Sequence, residues 1–338
     1  MLRTAEMKRY PSSPMVTDAG LRAAMTTGLD SPVSPRAEEL IRYITKAFGP
    51  SVAAIIHYGS RAQQSGSRPE SAYDFFVIVD DYEAAFVSFA EQVQPRFSAR
   101  SAIVLSRFLP PSVVALTHLP GVGVHDTAKC AVLSLRDLAI ACSPESPDHF
   151  TKGRLFQTLQ LAWSRDPDVR KQVVDAIVAA RLATFDWGST SLPAWFEVED
   201  YLRTLLATSY AGEIRPETQE RISELVTAQL PVLMAIYGVL LASLAEAGTL
   251  SRNGTRYTLT RPTTAAEKAR IESYFKRSKA RATLRWVKLI WLYDDWLEYL
   301  RQKVTRRSGH VVDLTPQERR WPWLFLWPKV IRYISSRR

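Results

Sequence analysis

Residues 55–82 read IIHYGSRAQQSGSRPESAYDFFVIVDDY, and this stretch decides the fold. Two apolar, strand-like runs are joined by the pair Gly59-Ser60 and a polar connection that contains Gly, Ser and Pro. Short apolar runs bounded by turn residues are typical of strands. The second run opens with Asp74, so a carboxylate begins a segment that is otherwise apolar.

The Gly-Ser turn and Asp74 suit the binding of a metal-bound phosphate. Gly59 lets the backbone approach a phosphate without a Cβ in the way. Ser60 offers its hydroxyl and its backbone N–H to the same phosphate, most effectively at the start of a helical turn. Asp74 is placed to hold a Mg²⁺ ion that bridges the phosphate oxygens of a nucleoside triphosphate. The alternative is an ordinary turn followed by a strand-initial carboxylate.

The order of strand, Gly-Ser, connection and Asp-bearing strand resembles the polymerase-β-like nucleotidyltransferases. Most of those enzymes carry a second carboxylate two residues after the first, where this chain has Phe76. Asp80 shares a strand face with Asp74, but six residues separate them by about 20 Å. We expect Asp80 and Asp81 to be solvated strand-end residues, so the second metal ligand must come from another segment. The candidates are Asp126 and His118.

The remaining pattern predicts an α+β protein: a nucleotidyltransferase-fold mixed sheet with flanking helices, then a mainly helical, winged-helix-like domain and a basic aromatic C-terminal tail. An Asn-Gly pair in residues 249–260 predicts a hairpin with a two-residue type I′ turn. The predicted strands are 52–57, 74–79, 102–109, 112–119 and 128–133. The predicted helices are 36–48, 82–93 and 134–141, with a mostly helical pattern over 147–244 that includes 149–163.

Four regions follow from this pattern and from composition. Residues 1–38 are rich in Ser, Thr, Pro and Ala and predict a flexible tail. The nucleotidyltransferase domain is expected over 39–220, and the helical, winged-helix-like domain over 221–300. Residues 301–338 form the basic aromatic segment. No apolar run is expected to reach the roughly 20 residues that span a bilayer.

Charge is distributed unevenly along the chain. Residues 250–338 contain 21 Lys and Arg against 7 Asp and Glu, a net charge of +14, whereas the rest of the chain has a net charge of −4. Six of the nine tryptophans lie in the same C-terminal quarter. This asymmetry predicts a polyanionic partner, either nucleic acid or an anionic membrane surface. The two cysteines and five histidines show no metal-ligand spacing, so a structural zinc site is not expected.

Several segments in order resemble the mitochondrial translocator assembly and maintenance family, whose members are phosphatidate cytidylyltransferases (CDP-diacylglycerol synthases) with relatives in bacteria. A single Asp heads the strand that ends Val-Asp-Asp. KCAVLSLRDL over residues 129–138 is similar to the family's Lys-containing strand and following helix, although Cys130 and Ala131 replace an aromatic residue and a glycine. HFTKGRLFQ over 149–157 and FEVEDYLRTLLATSYAGEIRPE over 196–217 resemble its Gly-Arg-Leu helix and its long helix.

The resemblance implies roles for five residues. Gly59 and Ser60 would hold the phosphates of CTP, and Asp74 would bind Mg²⁺. Lys129 and Arg154 would neutralise phosphate charge on CTP or phosphatidate. Phosphoryl transfer needs such cations, because its transition state is stabilised electrostatically. The alternatives are a solvent-facing lysine at a strand edge and an arginine in a helix ion pair.

The C-terminal sequence RRWPWLFLWPKVIRYISSRR predicts a segment that associates with a membrane without crossing it. Tryptophan suits the bilayer interface and arginine suits lipid phosphate. Each basic residue near an anionic surface contributes about 1 kcal/mol. A helix carrying Trp286, Leu289 and Tyr293 precedes this segment; the alternative is that both pack on the body as core helices. The membrane-associating residues are Trp321, Trp323, Trp327, Arg319, Arg320 and Lys329.

We therefore expect an enzyme that transfers CMP from CTP to phosphatidate with Mg²⁺ as cofactor, at the inner face of a cell membrane or, alternatively, in the mitochondrial matrix. A second hypothesis keeps the nucleotidyltransferase chemistry and changes the acceptor. A third is a nucleic-acid-binding protein with a degenerate nucleotidyltransferase domain. Nucleic acid is the less favoured partner, because tryptophans at the extreme C-terminus suit lipid better than duplex DNA.

Overall fold

The computed structural model describes residues 18–63, 72–94, 97–116, 127–212, 219–292, 313 and 315–320. The strands are β1 (Val52–Tyr58), β2 (Tyr73–Val79), β3 (Ser112–Leu116), β4 (Ala128–Ser134), β5 (Gln160–Ser164), β6 (Leu250–Asn253) and β7 (Arg256–Leu259). The helices are α1 (Ala19–Met25), α2 (Pro35–Phe48), α3 (Tyr82–Gln92), α4 (Ala99–Phe108), α5 (Leu135–Cys142), α6 (Lys152–Leu155), α7 (Pro167–Leu182), α8 (Thr184–Gly188), α9 (Val198–Ala211), α10 (Gln219–Glu246), α11 (Ala265–Leu292) and α12 (Pro316–Arg320).

A five-stranded mixed sheet forms the centre of the fold. Its strand order is β3-β4-β2-β1-β5. The pair β2-β4 is parallel, whereas β1-β2, β1-β5 and β3-β4 are antiparallel. This arrangement confirms the predicted α+β class with a mixed sheet and flanking helices.

Helices cover both faces of the sheet, so the central strands are mostly apolar and buried. In β2, Phe75 and Val77 point to the layer of α2, α3 and α4. Phe76 and Ile78 point to the layer of α5 and α7. Because side chains alternate along a strand, Asp74 lies on the α5–α7 face, in line with Phe76.

A second apolar core lies among helices α1, α8, α9 and α10 and the β6–β7 hairpin. The hairpin is joined to the chain before α9 by backbone hydrogen bonds between Phe196 and Tyr257. The boundary predicted near residue 220 runs between α9 and α10, which share this core. In the hairpin, Asn253 pairs with Arg256, so Gly254 and Thr255 form the turn instead of the predicted Asn-Gly pair.

The prediction of a flexible tail over residues 1–38 is wrong for the described part, 18–38. Asp18 caps α1, and Leu21 and Met25 are buried in the second core. Helix α2 begins at Pro35, with Ser34 as its cap. A short amphipathic helix in a Ser/Thr/Pro-rich stretch is easily missed, because its burial depends on a core formed by distant residues.

The predicted strand over 102–109 is also wrong, because this segment is helix α4. Its buried residues, Ala102 and Ser106, are four positions apart, and Ser98 caps the helix by accepting from the Ser101 N–H. The adjacent β-branched residues Ile103 and Val104 imitate a strand pattern.

The helical prediction for residues 149–163 holds only for the single turn α6. Residues 160–164 form β5, which pairs with β1 as an edge strand. The five residues QLAWS are too few for periodicity to separate strand from helix. The pairing partner β1 decides the outcome, and that partner lies about 100 residues away in sequence.

Helix α10 corrects another expectation. The stretch Ile222–Glu246 is long and apolar enough to cross a membrane by length and composition alone. In the structure its residues Leu233, Ile236 and Leu240 are buried in the second core. A core helix of a globular protein satisfies the same criteria, so length and composition do not decide between the two.

Candidate functional site

The site forms at the edge of the sheet where β1 ends and where β2, β4 and β5 begin. β1 runs antiparallel to β2 and β5, whereas β2 and β4 are parallel, so these four strand ends meet at one edge. The loop before β5 contains α6 and returns to the same edge. Gly59, Asp74, Lys129 and Arg154 are therefore drawn from four separate segments.

Gly59 and Asp74 are in direct contact. Tyr58 pairs with Asp74 across β1 and β2, and Gly59 follows immediately with φ +79°. A Cβ at position 59 would lie 2.8 Å from Asp74 Oδ2. Both the left-handed backbone and the missing side chain are therefore required at this position. The Gly59 turn and the Asp74 carboxylate are therefore neighbours in the fold.

Lys129 lies beside Asp74 on the neighbouring strand. The two residues are directly paired in the parallel β2-β4 ladder, so their side chains share a face. Lys129 Nζ is 3.7 Å from Asp74 Oδ1, and the side chains are 46% and 25% exposed. This partial exposure leaves both groups accessible to a ligand.

Burial raises the pKa of the Asp74 carboxyl, and the nearby charges of Lys129 and Arg154 oppose that rise. Desolvation penalises the charged carboxylate, and cations restore it. The carboxylate therefore has a desolvated position with cations on more than one side. A further cation, such as a metal ion, would stabilise the ionised carboxylate in this environment.

Arg154 reaches the site from α6. Its Nη1 donates to the Phe150 carbonyl at 2.7 Å, and its guanidinium lies 3.9 Å above the centre of the Phe150 ring. The Phe150 ring in turn meets Phe76 edge-on at 6.3 Å. Phe76 and Phe150 thus form an apolar floor beneath the cation.

The turn that carries Ser60 is held by buried amides. The Gln63 N–H donates to the Gly59 carbonyl at 3.0 Å, which closes one helical turn around Ser60. Gln63 Nε2 donates to Gln157 Oε1 at 3.2 Å, and Gln157 Nε2 donates to the Gly153 carbonyl at 2.7 Å. The Ser60 turn and the α6 turn are therefore connected through side-chain amides.

The position of Phe76 bears directly on the metal ligands. Phe76 is fully buried and stacks on Tyr58 at 4.6 Å, so it belongs to the core. Among the described residues no group of three or more His, Cys, Asp and Glu side chains is placed to hold a metal ion. Asp126 and His118, the predicted second ligands, lie outside the described residues. Mg²⁺ is commonly held by one or two carboxylates together with substrate phosphates, so Asp74 fits as one protein ligand.

Asp80 and Asp81 have structural roles at the far end of β2. Asp80 forms an ion pair with Arg165. Asp81 caps α3 by accepting from the Ala84 N–H at 2.9 Å. Neither carboxylate belongs to the candidate site, as the strand geometry predicts.

Sequence analysis missed a buried ion pair next to the site. Asp148 accepts from Arg281 Nε at 2.8 Å and from Arg285 Nη2 at 2.5 Å. Burial raises the pKa of Asp148, but the two arginines outweigh it and hold the pKa below its ordinary value. The signal was the placement of Ser278, Arg281 and Arg285 at alternating spacings of three and four residues, which marks one face of α11.

The predicted membrane-associating residues fall mostly outside the described residues. These are Trp321, Trp323, Trp327 and Lys329. Arg319 and Arg320 belong to α12, and for these two residues the structure describes the backbone only. The predicted membrane role of this segment therefore stays a prediction.

No protein-family model and no curated protein matches this chain.

Proposed function

We propose that the protein is a nucleotidyltransferase that transfers CMP from CTP to phosphatidate, releasing pyrophosphate and forming CDP-diacylglycerol. The observation that carries the proposal is the contact between Gly59 and Asp74, with Lys129 and Arg154 beside the carboxylate. The resemblance to the mitochondrial translocator assembly and maintenance family supplies the identity of the two substrates.

The cations fit the charge of the donor. A nucleoside triphosphate carries several negative charges. Transfer of its nucleotidyl group depends on positioning and on electrostatic stabilisation of the transition state. Lys129 and Arg154 act electrostatically on Asp74 from separate segments. In this proposal Gly59 and Ser60 hold the CTP phosphates, Lys129 neutralises them, and Arg154 lies between CTP and the acceptor.

Asp74 would hold Mg²⁺ together with phosphate oxygens of CTP. When bound, Mg²⁺ neutralises charge on the triphosphate and on the departing pyrophosphate. The single carboxylate at the start of β2 is compatible with this arrangement, because substrate phosphates supply further oxygen ligands.

The acceptor needs no activated side chain. A phosphomonoester has a second pKa near about 6 and is mostly a dianion at neutral pH. One of its oxygens forms a bond to the α-phosphorus of CTP, and the bond from that phosphorus to the β-phosphate oxygen breaks. The electron pair leaves with pyrophosphate. This chemistry agrees with the environment of His149, the histidine nearest α6, whose pKa burial lowers to about 3.

A lipid acceptor requires access to a bilayer. The basic aromatic segment at residues 301–338 supplies tryptophan and arginine, which suit the interface of an anionic membrane. We place the enzyme on the inner face of the cell membrane as a peripheral protein, with the mitochondrial matrix as the alternative. The β6–β7 hairpin with α9 and α10 provides the elements of the winged-helix-like unit in this proposal.

Labelled CTP tests the proposal directly. Purified protein is incubated with Mg²⁺, phosphatidate in mixed micelles, and CTP labelled at either the α- or the γ-phosphate. We expect the α-label in the lipid fraction and the γ-label in pyrophosphate. Transfer of the α-label to diacylglycerol or to a polyprenyl phosphate, and not to phosphatidate, would identify that lipid as the acceptor in place of phosphatidate. No transfer to any lipid would reject the proposal.

A further inference from the structure

Helix α11 turns a basic face toward the protein interior. Arg285 is 8% exposed and Lys288 is 3% exposed, both among the most buried residues of this helix. Lys288 Nζ donates to the Leu109 carbonyl at 3.1 Å, and burial lowers its pKa to about 7. Buried cations require acceptors or counter-charges. Each buried cation on this face therefore needs hydrogen-bond acceptors or a counter-charge.

Arg285 has acceptors for only part of its guanidinium. Its Nε and Nη2 donate to the Pro110 carbonyl at 3.0 and 2.7 Å, and Nη2 also donates to Asp148. Its Nη1 is buried and has no hydrogen-bond partner among the residues that the structure describes. A buried donor without an acceptor costs roughly 1–3 kcal/mol, and more when the group is charged. An anion oxygen at Nη1 would remove this penalty.

Arg154 and Arg285 share one ring. The Arg285 guanidinium lies 5.1 Å from the centre of the Phe150 ring, and the Arg154 guanidinium lies 3.9 Å from the same centre. Burial lowers the pKa of Arg285, Asp148 opposes that fall, and the like charges of Arg281 and Arg154 lower it further. Arg154 also acts electrostatically on Asp74. Arg154 therefore connects the Asp74 site to Arg285.

Two exposed apolar residues lie close in sequence to Arg285 and to its partner Pro110. Phe108, at the end of α4, is 75% exposed and lies two residues before Pro110, the carbonyl partner of Arg285. Leu284, the residue before Arg285, is 56% exposed. A buried cation with exposed apolar residues near it in sequence suits a ligand with a phosphate head and an apolar body.

We propose that Arg285 and Arg154 form the subsite for the phosphomonoester of the acceptor, on the α11 side of Asp74. This inference rests on the proposed function and adds Arg285, a residue of α11, to the binding site. Two guanidiniums provide several donors in fixed geometry for one phosphate. The triphosphate of CTP then occupies the opposite side of Asp74, at Gly59, Ser60 and Lys129.

The variant Arg285→Gln tests the subsite, with Arg281→Gln as the matched control. Arg281→Gln removes the same charge from the same helix. Arg281 pairs with the same Asp148, but its side chain is 26% exposed. We expect Arg285→Gln to raise KM for phosphatidate by about tenfold or more while KM for CTP changes less than about twofold, since a charge-assisted hydrogen bond is lost from one substrate only. Arg281→Gln should leave both KM values near those of the wild type.

A binding measurement separates failure of the subsite from failure of the proposed function. The shift in Tm is measured with dihexanoyl phosphatidate, glycerol 3-phosphate and inorganic phosphate. We expect dihexanoyl phosphatidate to raise the Tm of the wild type and of Arg281→Gln, but not of Arg285→Gln, even if no CDP-lipid is formed. Equal Tm shifts in Arg285→Gln and wild type, or an equal effect of inorganic phosphate alone, would overturn the subsite.

If Arg285→Gln does not fold, the double variant Asp148→Asn/Arg285→Gln takes its place, because it removes both charges of the buried pair. The same loss of the phosphatidate-dependent Tm shift is expected. A folded double variant with wild-type KM for phosphatidate would contradict the subsite and leave the proposed function standing.

Discussion

At the scale of single residues, the left-handed backbone of Gly59 and its contact with Asp74 make one strong prediction. Gly59→Ala places a Cβ 2.8 Å from Asp74 Oδ2 at φ +79°. A left-handed conformation alone costs about 1–2 kcal/mol for a residue with a Cβ. We expect Gly59→Ala to lower the free energy of unfolding by more than that amount and to weaken CTP binding.

Gly248→Ala is the matched control for this variant. Gly248 has φ +75°, but a Cβ there would meet no atom within 4 Å. Urea unfolding of the two variants separates backbone strain from crowding of the carboxylate. Equal losses in the two variants would show that the Gly59–Asp74 contact carries no constraint of its own.

His149 makes a prediction about pH. Burial lowers its pKa from 6.5 to about 3, and Nε2 lies 3.1 Å from Ser209 Oγ. Between pH 6.5 and 3 the unfolded chain therefore binds a proton that the folded protein does not, so stability is lost as the pH falls. One such proton changes the free energy of unfolding by about 1.4 kcal/mol per pH unit.

We expect His149→Gln to reduce the slope of the unfolding free energy against pH between pH 4 and 6. The reduction is at most the contribution of one proton, about 1.4 kcal/mol per pH unit. Urea unfolding at several pH values measures this slope. An unchanged slope would show that His149 does not account for the acid sensitivity in this range, since the lowered pKa of Asp148 acts in the same direction but at lower pH.

The residue scale also shows what the sequence could predict. The predicted residues Gly59, Asp74 and Lys129 lie at one sheet edge, because strand ends marked by turn residues fix where side chains emerge, and Arg154 acts electrostatically on Asp74. Arg285 was not predicted, since its partners Asp148 and Pro110 lie more than 130 residues earlier. Contacts at that separation leave no local pattern.

At the scale of elements, Arg181 joins three segments of the backbone. This fully buried side chain of α7 donates to the carbonyls of Met25, Thr27 and Gln157. We expect Arg181→Met to lower the free energy of unfolding by about 2–4 kcal/mol, because several buried carbonyls lose their donor.

Arg22→Gln is the control, since the Arg22–Asp175 ion pair also joins α1 to α7 but its side chains are 34% and 40% exposed. Exposed pairs contribute about 1 kcal/mol or less. Chemical denaturation of both variants provides the comparison. A loss for Arg181→Met no larger than that for Arg22→Gln would contradict the role of Arg181.

Elements differ in how far the sequence predicts them. β1, β2 and β4 were predicted within one residue at each end, because they are mostly apolar runs in a sheet covered on both faces. α4 and β5 were assigned to the wrong class. In both, the local pattern is short and ambiguous, and burial against other elements determines the conformation.

At the scale of the whole molecule, the basic C-terminal quarter predicts binding to anionic membranes. Replacing Trp321, Trp323 and Trp327 by alanine together should reduce the binding of the protein to phosphatidate-containing vesicles, because tryptophan anchors at the bilayer interface. Flotation of vesicles measures the bound fraction. Trp195→Ala is the control, since Trp195 is 52% exposed on the chain before α9. Equal binding of the triple variant and the wild type would reject the segment as an anchor.

The central claim is that Asp74 carries the transfer of CMP to phosphatidate. The most direct measurement is the rate of CDP-diacylglycerol formation by Asp74→Asn, compared with Asp80→Asn at the other end of the same strand. We expect Asp74→Asn to lose at least about a hundredfold in rate, since the metal-binding carboxylate is gone, and Asp80→Asn to keep the wild-type rate. A wild-type rate for Asp74→Asn would contradict the account.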